Sequence, residues 1–283
     1  MNPYSIDPNQ NYSPPPSESG AGAPNESFNP QGNQLSAGAA LDWYSSGFER
    51  FKASPGVWIA MAVILFILYI IAAMIPFIGS IASNILTPVF FGGFMLACHA
   101  QFEGKSIGVE YMFEGFKEKF GPLALLGLFW MIGMFVIAFA FGLVAVAFIG
   151  GAALTGAATG MHMSSALAGL GFGTLVVVLL VMMLVCIPLA MAIWFAPALV
   201  VFHNVQPIDA IMMSLKASLK NWSAFILYFI LYIVFAILAT IPLGLGWLVF
   251  GPVVIAAMYG AYRSIFLVQS TGIGLLYQVS WSQ

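Results

Sequence analysis

The chain has 283 residues, of which 61% are hydrophobic and 6% are charged, and its mean hydropathy is +0.98. Soluble domains carry about 45–50% apolar and about 25% charged residues, so this composition excludes a water-exposed globular domain. The net charge of −2 leaves no basic patch that could follow a phosphate backbone, and we therefore expect no nucleic-acid partner.

Residues 1–40 have the opposite character and are rich in Asn, Pro, Ser, Gln and Gly. Such a segment buries too little apolar surface to offset its chain entropy, which predicts a disordered cytoplasmic tail. It has no basic stretch followed by an apolar one, so a cleavable signal peptide is not expected.

Six long apolar stretches follow this tail. A hydrocarbon core about 30 Å thick requires about 20 apolar residues in a helix, and the alternating pattern of a membrane barrel is absent from the sequence. We therefore predict transmembrane helices at about 56–78, 81–101, 122–149, 173–202, 222–242 and 247–268.

The basic residues predict the orientation of these spans. All eight Lys and Arg lie before span one, between spans two and three, between spans four and five, or near the end of span six. Those places share one face, and the positive-inside bias assigns it to the cytoplasm. We expect a multi-pass protein of the bacterial inner membrane with both termini cytoplasmic.

The stretch 150–172 is weakly apolar and rich in Ala and Gly, which allows a seventh crossing as an alternative. A seventh span would place Lys216 and Lys220 outside the cell. We therefore interpret 150–172 as a periplasmic connection, partly re-entrant as one option, with His162 near its middle.

An internal threefold repeat is predicted, with copies at about 41–102, 107–203 and 207–268, and a short cytoplasmic tail at 271–283. Each copy opens with an aliphatic–acid pair followed by an amphipathic segment, an unbroken span and a span that carries proline. The pairs are Leu41-Asp42, Val109-Glu110 and Ile208-Asp209, and the prolines, which predict kinks, are Pro88, Pro188, Pro197 and Pro252.

The predicted fold class is therefore an all-α polytopic bundle of six transmembrane helices in three hairpins within residues 41–270. Each hairpin is preceded by a cytoplasmic amphipathic helix. Those helices either lie in the membrane interface or cap the bundle and join its spans.

One segment carries a family resemblance. It runs Phe195-Ala-Pro-Ala-Leu-Val-Val-Phe-His203, then Gln206-Pro-Ile-Asp209, then Ser214 and Leu219-Lys-Asn-Trp222. It resembles a segment shared by the YciC family and by the membrane domain attached to some glycerophosphodiester phosphodiesterases. With Gly47-Phe48 through Pro55-Gly-Val-Trp58, residues 41–270 resemble an uncharacterised proteobacterial inner-membrane family of this kind.

The resemblance implies a fold but no reaction. Where relatives carry an acid after the Pro-Ala-Leu-Val run, this chain has Phe202-His203, and a phosphodiesterase domain is absent from the sequence. The spans contain no Asp, Glu or Lys away from their ends, and no catalytic triad or carboxylate pair stands out. We therefore expect no enzymatic activity and no cofactor.

Several cationic or titratable side chains at the cytoplasmic edge are candidate contacts for lipid headgroups. His99 and His203 lie near the ends of proline-containing spans, where they could face one another. Two histidines without a third ligand make a poor metal site, so we expect no bound metal and favour a structural role over headgroup binding. The candidate headgroup contacts are His99, His203, Arg263, Lys117, Lys216 and Lys220.

Two functions are compatible with this sequence. The first is a non-enzymatic inner-membrane protein that interacts with phospholipid or organises envelope partners through its tail or amphipathic helices. The second is a transporter or channel for a neutral or lipidic solute, because repeats and proline-broken spans also occur in transporters.

Overall fold

The computed structural model describes residues 26–160 and 171–269. Phe28–Val268 forms one compact unit, whereas Glu26, Ser27 and Gln269 belong to a second one. In the described part of the chain the structure is almost entirely helical, and two short strands, β1 (Glu26–Phe28) and β2 (Leu267–Gln269), pair with each other.

The helices are numbered along the described ranges. They are α1 (Ala39–Ala53), α2 (Pro55–Ala73), α3 (Ile78–Phe102), α4 (Glu114–Glu118), α5 (Phe120–Thr159), α6 (Gly171–Trp194), α7 (Ala196–His203), α8 (Pro207–Lys220), α9 (Trp222–Thr240) and α10 (Trp247–Phe266), and a 3-10 helix, Val109–Phe113, precedes α4.

Six helical stretches in these ranges are long and apolar enough to cross a membrane, which confirms an all-α polytopic bundle. The fourth combines the second half of α6 with α7. The stretches are Pro55–Ala73, Ile78–Phe102, Phe120–Ala147, Leu180–His203, Trp222–Thr240 and Trp247–Phe266.

The connection predicted at 150–172 begins as a continuation of α5, which is helical to Thr159, whereas the apolar span within α5 ends at Ala147. The segment is rich in Ala, the best helix former, and the helix ends only at Gly160, whose φ of 68° is a left-handed C-cap that glycine adopts readily. Residues 161–170, including His162, lie outside the described residues.

The second amphipathic segment also differs from its prediction. It is a 3-10 helix followed by the short α4, and the chain turns at Lys119, where φ is −143°. The first and third segments, α1 and α8, are continuous helices of 15 and 14 residues.

The three amphipathic segments, which we call the collar, each pack on a proline-containing helix at a small residue. A Cβ on Gly47 of α1 would lie 2.5 Å from the carbonyl oxygen of Val253. A Cβ on Gly115 of α4 would overlap the carbonyl oxygen of Val89. The predicted repeat aligns these two glycines with Ser214 of α8. Small side chains there allow the backbones to approach closely.

Ser214 makes the third contact through hydrogen bonds. Its hydroxyl donates to the Met191 carbonyl (2.7 Å) and accepts from the Phe195 amide (3.0 Å). The side chain thus occupies the place of a backbone bond between α6 and α7, which is a recognised cause of helix breaks.

Residues 28–36 form an ordered strap, so the predicted disorder of residues 1–40 is wrong for the described part, 26–40. The Asn29 and Asn33 amides donate to the carbonyls of Phe266 and Ile265, and the Asn33 side chain donates to Ser264 and Leu267. The last turn of a helix leaves carbonyls without partners, and the strap satisfies those at the end of α10.

The buried Asn221, between α8 and α9, fixes the other side of the strap. Its Oδ1 accepts from the Leu35 amide (2.8 Å), and its Nδ2 donates to the carbonyls of Asn33 and Ala217 (both 2.9 Å). These bonds satisfy the polar groups of a side chain that is 0% exposed.

Candidate functional site

Two histidines meet one face of α10 at the end of the bundle that carries the charged residues. His99 Nδ1 lies 2.9 Å from the Tyr259 hydroxyl, and His203 Nε2 lies 2.7 Å from the Tyr262 hydroxyl. Tyr259 and Tyr262 are one helical turn apart and therefore share a face. We call these four residues, with Phe202 between them, the histidine–tyrosine cluster.

Phe202 joins the two halves of this cluster. Its ring centroid lies 5.1 Å from that of His99, 6.0 Å from Tyr259 and 5.3 Å from Tyr262. The two histidines are thus brought to one surface, as the sequence suggested, but each is hydrogen-bonded to its own tyrosine.

The His203 half of the cluster is closed. Phe28 of the strap stacks on the imidazole of His203 with a centroid distance of 3.6 Å, and Phe28 also contacts Phe266. A ligand would have to displace the strap to reach His203.

The His99 half is open, because the His99 side chain remains 42% exposed. Its Nε2 lies 3.6 Å from a Glu103 oxygen. If Nε2 of His99 carried no hydrogen, its lone pair would face the negatively charged oxygen of Glu103, which is unfavourable. The favourable tautomer therefore carries its hydrogen on Nε2, directed at Glu103, and accepts a hydrogen bond from the Tyr259 hydroxyl at Nδ1.

Glu103 is compensated by Lys105, whose ammonium donates to the carboxylate at 2.7 Å. This hydrogen bond holds the pKa of Glu103 below its usual range and raises the pKa of Lys105. Both groups are therefore charged at neutral pH.

Two arginines border the open half. The guanidinium of Arg50 lies over the Tyr259 ring (4.8 Å from Cζ to the centroid), and that of Arg263 lies over the Phe102 ring (3.3 Å). Such cation–π contacts hold a guanidinium in a fixed position. Arg263 is one of the predicted site residues. The structure places it beside His99, because the Arg263 guanidinium and the His99 ring both lie against the ring of Phe102.

The three lysines predicted as headgroup contacts, Lys117, Lys216 and Lys220, make no contact with the histidine–tyrosine cluster within the described residues. Lys117 pairs with Glu114 at 2.7 Å, which raises the pKa of the lysine. Lys220 donates to the Gly32 carbonyl of the strap at 2.7 Å. Lys216 is exposed on α8.

Sequence reasoning missed Arg50, Tyr259 and Tyr262. The spacing of Tyr259, Tyr262 and Arg263 (i, i+3, i+4) was a usable signal, because it places two hydroxyls and a cation on one face of the last span. Arg50 carried no local signal, since it reaches the site only through the packing of α1 against α10. Among residues 26–160 and 171–269, no three His, Cys, Asp or Glu side chains are grouped as metal ligands.

Comparison with known proteins finds an informative similarity. A Burkholderia thailandensis protein described as a probable inner membrane protein is 27% identical over 266 aligned positions, covering 84% of this chain and 95% of that relative. No family model and no solved structure matches the chain. The resemblance to the YciC family therefore stays a prediction, while the chain is a multi-pass membrane protein similar to another membrane protein along most of its length.

Proposed function

We propose that this chain is a non-enzymatic protein of the bacterial inner membrane whose charged end lies in the headgroup layer of the cytoplasmic leaflet and binds phospholipid there. The observation that carries this proposal is the collar. Each collar segment buries one side against the bundle and exposes large apolar side chains on another.

The exposed apolar side chains occupy matching positions. Leu41 on α1 is 56% exposed and Ile208 on α8 is 60% exposed, and Val109 of the 3-10 helix is also exposed. The predicted repeat aligns these three residues. Trp222, at the start of α9, is 61% exposed. Apolar edges beside Lys and Arg, with an aromatic residue nearby, are typical of helices that lie in a membrane interface.

The charge of this end favours local binding over a general attraction to anionic membranes. All eight Lys and Arg lie in the described residues, and so do eight of the ten acids, because only Asp7 and Glu18 lie outside them. The described part thus has no net charge. Any selectivity for anionic lipid has to come from particular side chains.

Depth measurements on spin-labelled protein test this proposal. Single cysteines at positions 41, 109 and 208, in a background without Cys98 and Cys186, should report the depth of the headgroup–acyl boundary in liposomes. A label at Lys216 serves as the water-exposed control. Depth is measured by comparing how strongly a water-soluble and a lipid-soluble paramagnetic relaxant affect each label. Labels at 41 and 208 that are affected only by the water-soluble relaxant would contradict the proposal.

Sidedness and lipid content complete the test. A cysteine at position 216, left unlabelled, should react with a membrane-impermeant thiol reagent only from the cytoplasmic side of oriented vesicles. Protein extracted in mild detergent should retain phospholipid, and loss of all bound lipid under conditions that keep the fold would count against lipid binding.

The second candidate function is a carrier for a neutral or lipidic solute, which the break between α6 and α7 at Phe195 favours, because discontinuous helices form solute sites in transporters. The Ser214 hydroxyl fills this break with hydrogen bonds, so the break is closed in this structure. Solute-specific flux in proteoliposomes, with no retained lipid, would reverse the order of the two candidates.

A further inference from the structure

We infer that Arg50, which borders the open half of the cluster beside His99 and Tyr259, with Arg263 also bordering that half, binds the phosphate group of an anionic phospholipid. This inference rests on the proposed function, because it needs the charged end to lie at headgroup depth. It adds a defined site and a ligand chemistry to that proposal.

Arg50 is the main reason for this assignment. Its Nη1 donates to the Ser46 carbonyl (3.0 Å) and its guanidinium lies over Tyr259, but within residues 26–160 and 171–269 it has no carboxylate partner. Its Nε is buried and without a hydrogen-bond partner. A half-buried cation without a counter-charge is unfavourable, and a bound anion would remove that cost.

The position of Arg50 is fixed by the surrounding bundle. The backbone carbonyl of Arg50 accepts from the Gln101 side chain (3.2 Å), and Gln101 in turn accepts from the Trp58 indole (3.3 Å). Three elements, α1, α2 and α3, therefore hold this residue. A preorganised guanidinium loses less freedom when it binds a ligand.

The chemistry of the site favours phosphate. A guanidinium presents a planar fork of N–H donors that matches phosphate oxygens. Arg50 and His99 both contact Tyr259, because the guanidinium lies over the tyrosine ring and His99 contacts its hydroxyl, so a phosphate on Arg50 would lie on the His99 side of the cluster. Glu103 is the opposing charge near His99, and its ion pair with Lys105 reduces that opposition.

The stacking of Phe28 on His203 prevents a lipid headgroup from entering the cluster through its closed half. Phe28 covers His203, whereas no strap residue stacks on His99 among the ring contacts of the described residues. Each half has a histidine–tyrosine hydrogen bond, through Nδ1 of His99 and Nε2 of His203, so the closed half serves as a control for the open one.

Lipid titration of the purified full-length chain tests the inference. Delipidated protein in detergent is titrated with phosphatidylglycerol or phosphatidylcholine, and the bound lipid is counted by native mass spectrometry. Arg50→Gln should weaken phosphatidylglycerol binding about tenfold, as expected for a lost charged hydrogen bond. Tyr262→Phe, in the closed half, should change binding less than about twofold.

A second variant guards against loss of the fold. Arg50→Lys keeps the charge but not the fork, and should weaken binding about threefold while the protein elutes as the wild type does. Equal binding by wild type, Arg50→Gln and Arg50→Lys would overturn the site but leave the proposed function standing. Wild-type protein that retains no phospholipid of either kind would overturn both.

Soluble competitors separate the two sources of phosphate. Glycerol phosphate and inorganic phosphate are added to the wild type at millimolar concentration. No displacement of phosphatidylglycerol supports a lipid ligand. Displacement by glycerol phosphate, lost in Arg50→Gln, would instead assign the site to a soluble phosphate and overturn the lipid assignment.

Discussion

Ser214 and Phe195 form a hydrogen bond that fills the break in the fourth span: the Phe195 amide donates to the Ser214 hydroxyl at 3.0 Å. The same hydroxyl donates to the Met191 carbonyl, which would otherwise accept from Phe195. A side chain from α8 is thus part of the backbone ladder that joins α6 to α7.

Ser214→Ala should lower the free energy of unfolding by about 1–2 kcal/mol, because it leaves the buried Phe195 amide and the part-buried Met191 carbonyl without the hydroxyl that they share. The measurement is reversible unfolding in mixed micelles. Ser218→Ala is the matched control, since its hydroxyl lies 3.4 Å from the same Met191 carbonyl and contributes less. Equal losses in the two variants would show that the insertion is energetically unimportant.

The prolines of the sequence predicted kinks in three spans, and only the fourth of the six spans carries two of them, Pro188 and Pro197. Pro88 and Pro252 lie inside continuous helices, α3 and α10, whereas the fourth span is interrupted at Phe195. Pro197 stands in the first turn of α7, where it removes a backbone donor, and Ser214 reaches the break from another element. Hydropathy and helix length, by contrast, are local properties, and they predicted all six spans to within several residues.

Gly47→Ala should destabilise the bundle by about 1–3 kcal/mol, the usual cost of an overpacked contact. The added methyl would meet the Val253 carbonyl and the Ala257 backbone, neither of which can rotate away. Gly56→Ala is the control, because nothing lies within 4 Å of its Cβ position. We expect this control to be neutral or stabilising, since alanine favours helix. A neutral Gly47→Ala would show that α1 does not pack this closely on α10.

The order of the strap could not be predicted from the sequence. Its composition is that of a disordered tail, and no local apolar pattern marks it. It is held by amides that are distant in sequence, as in the bond from Asn33 to the Ser264 carbonyl, 231 residues away. Such contacts depend on the end of α10, which the local sequence of the strap does not specify.

Asn221→Ala should release the strap, because the substitution removes the bonds to Leu35 and Asn33 together. We expect faster amide hydrogen exchange at residues 28–36 and earlier proteolytic cleavage there, with the six spans retained. Asn84→Ala, which loses only a bond to the Ser80 carbonyl within its own helix, should leave the strap unchanged. Unaltered exchange in Asn221→Ala would contradict this role.

The candidate site was predictable only in part. Its histidines and Arg263 were identified from their position at span ends, and the structure brings them to one surface. The distinction between an open and a closed half was not predictable, because it depends on the strap. The lysines were selected for their charge alone, and their contacts are an ion pair for Lys117 and a backbone carbonyl for Lys220.

The Glu103 carboxyl should titrate below its usual range, because Lys105 donates to its charged form. A lowered pKa in the folded state means that the contribution of the pair to stability is present at neutral pH and is lost as the pH falls through that pKa. Lys105→Gln should raise the pKa of Glu103 toward its ordinary value. Carbon-13 NMR of labelled glutamate carboxyls measures this, and an unchanged titration would show that the pair does not persist in solution.

Glu103→Gln should strengthen phosphatidylglycerol binding at neutral pH if the open half binds phosphate, because Glu103 is the carboxylate that faces His99 there. Removing one exposed like charge is worth about 0.2–1 kcal/mol, so we expect a gain of up to about fivefold by native mass spectrometry.

Glu114→Gln is the matched control for this gain, since Glu114 makes a similar ion pair with Lys117 on α4 and has no contact with the cluster in the described structure. As the pH falls through the pKa of Glu103, wild-type protein loses the same charge, and the difference between wild type and Glu103→Gln should disappear. His99 is present in both proteins, so its protonation affects the two alike. Equal gains in the Glu103 and Glu114 variants would mean that lipid senses the charge of the whole collar, whereas a gain confined to Glu103→Gln would locate the phosphate beside His99 and Arg50.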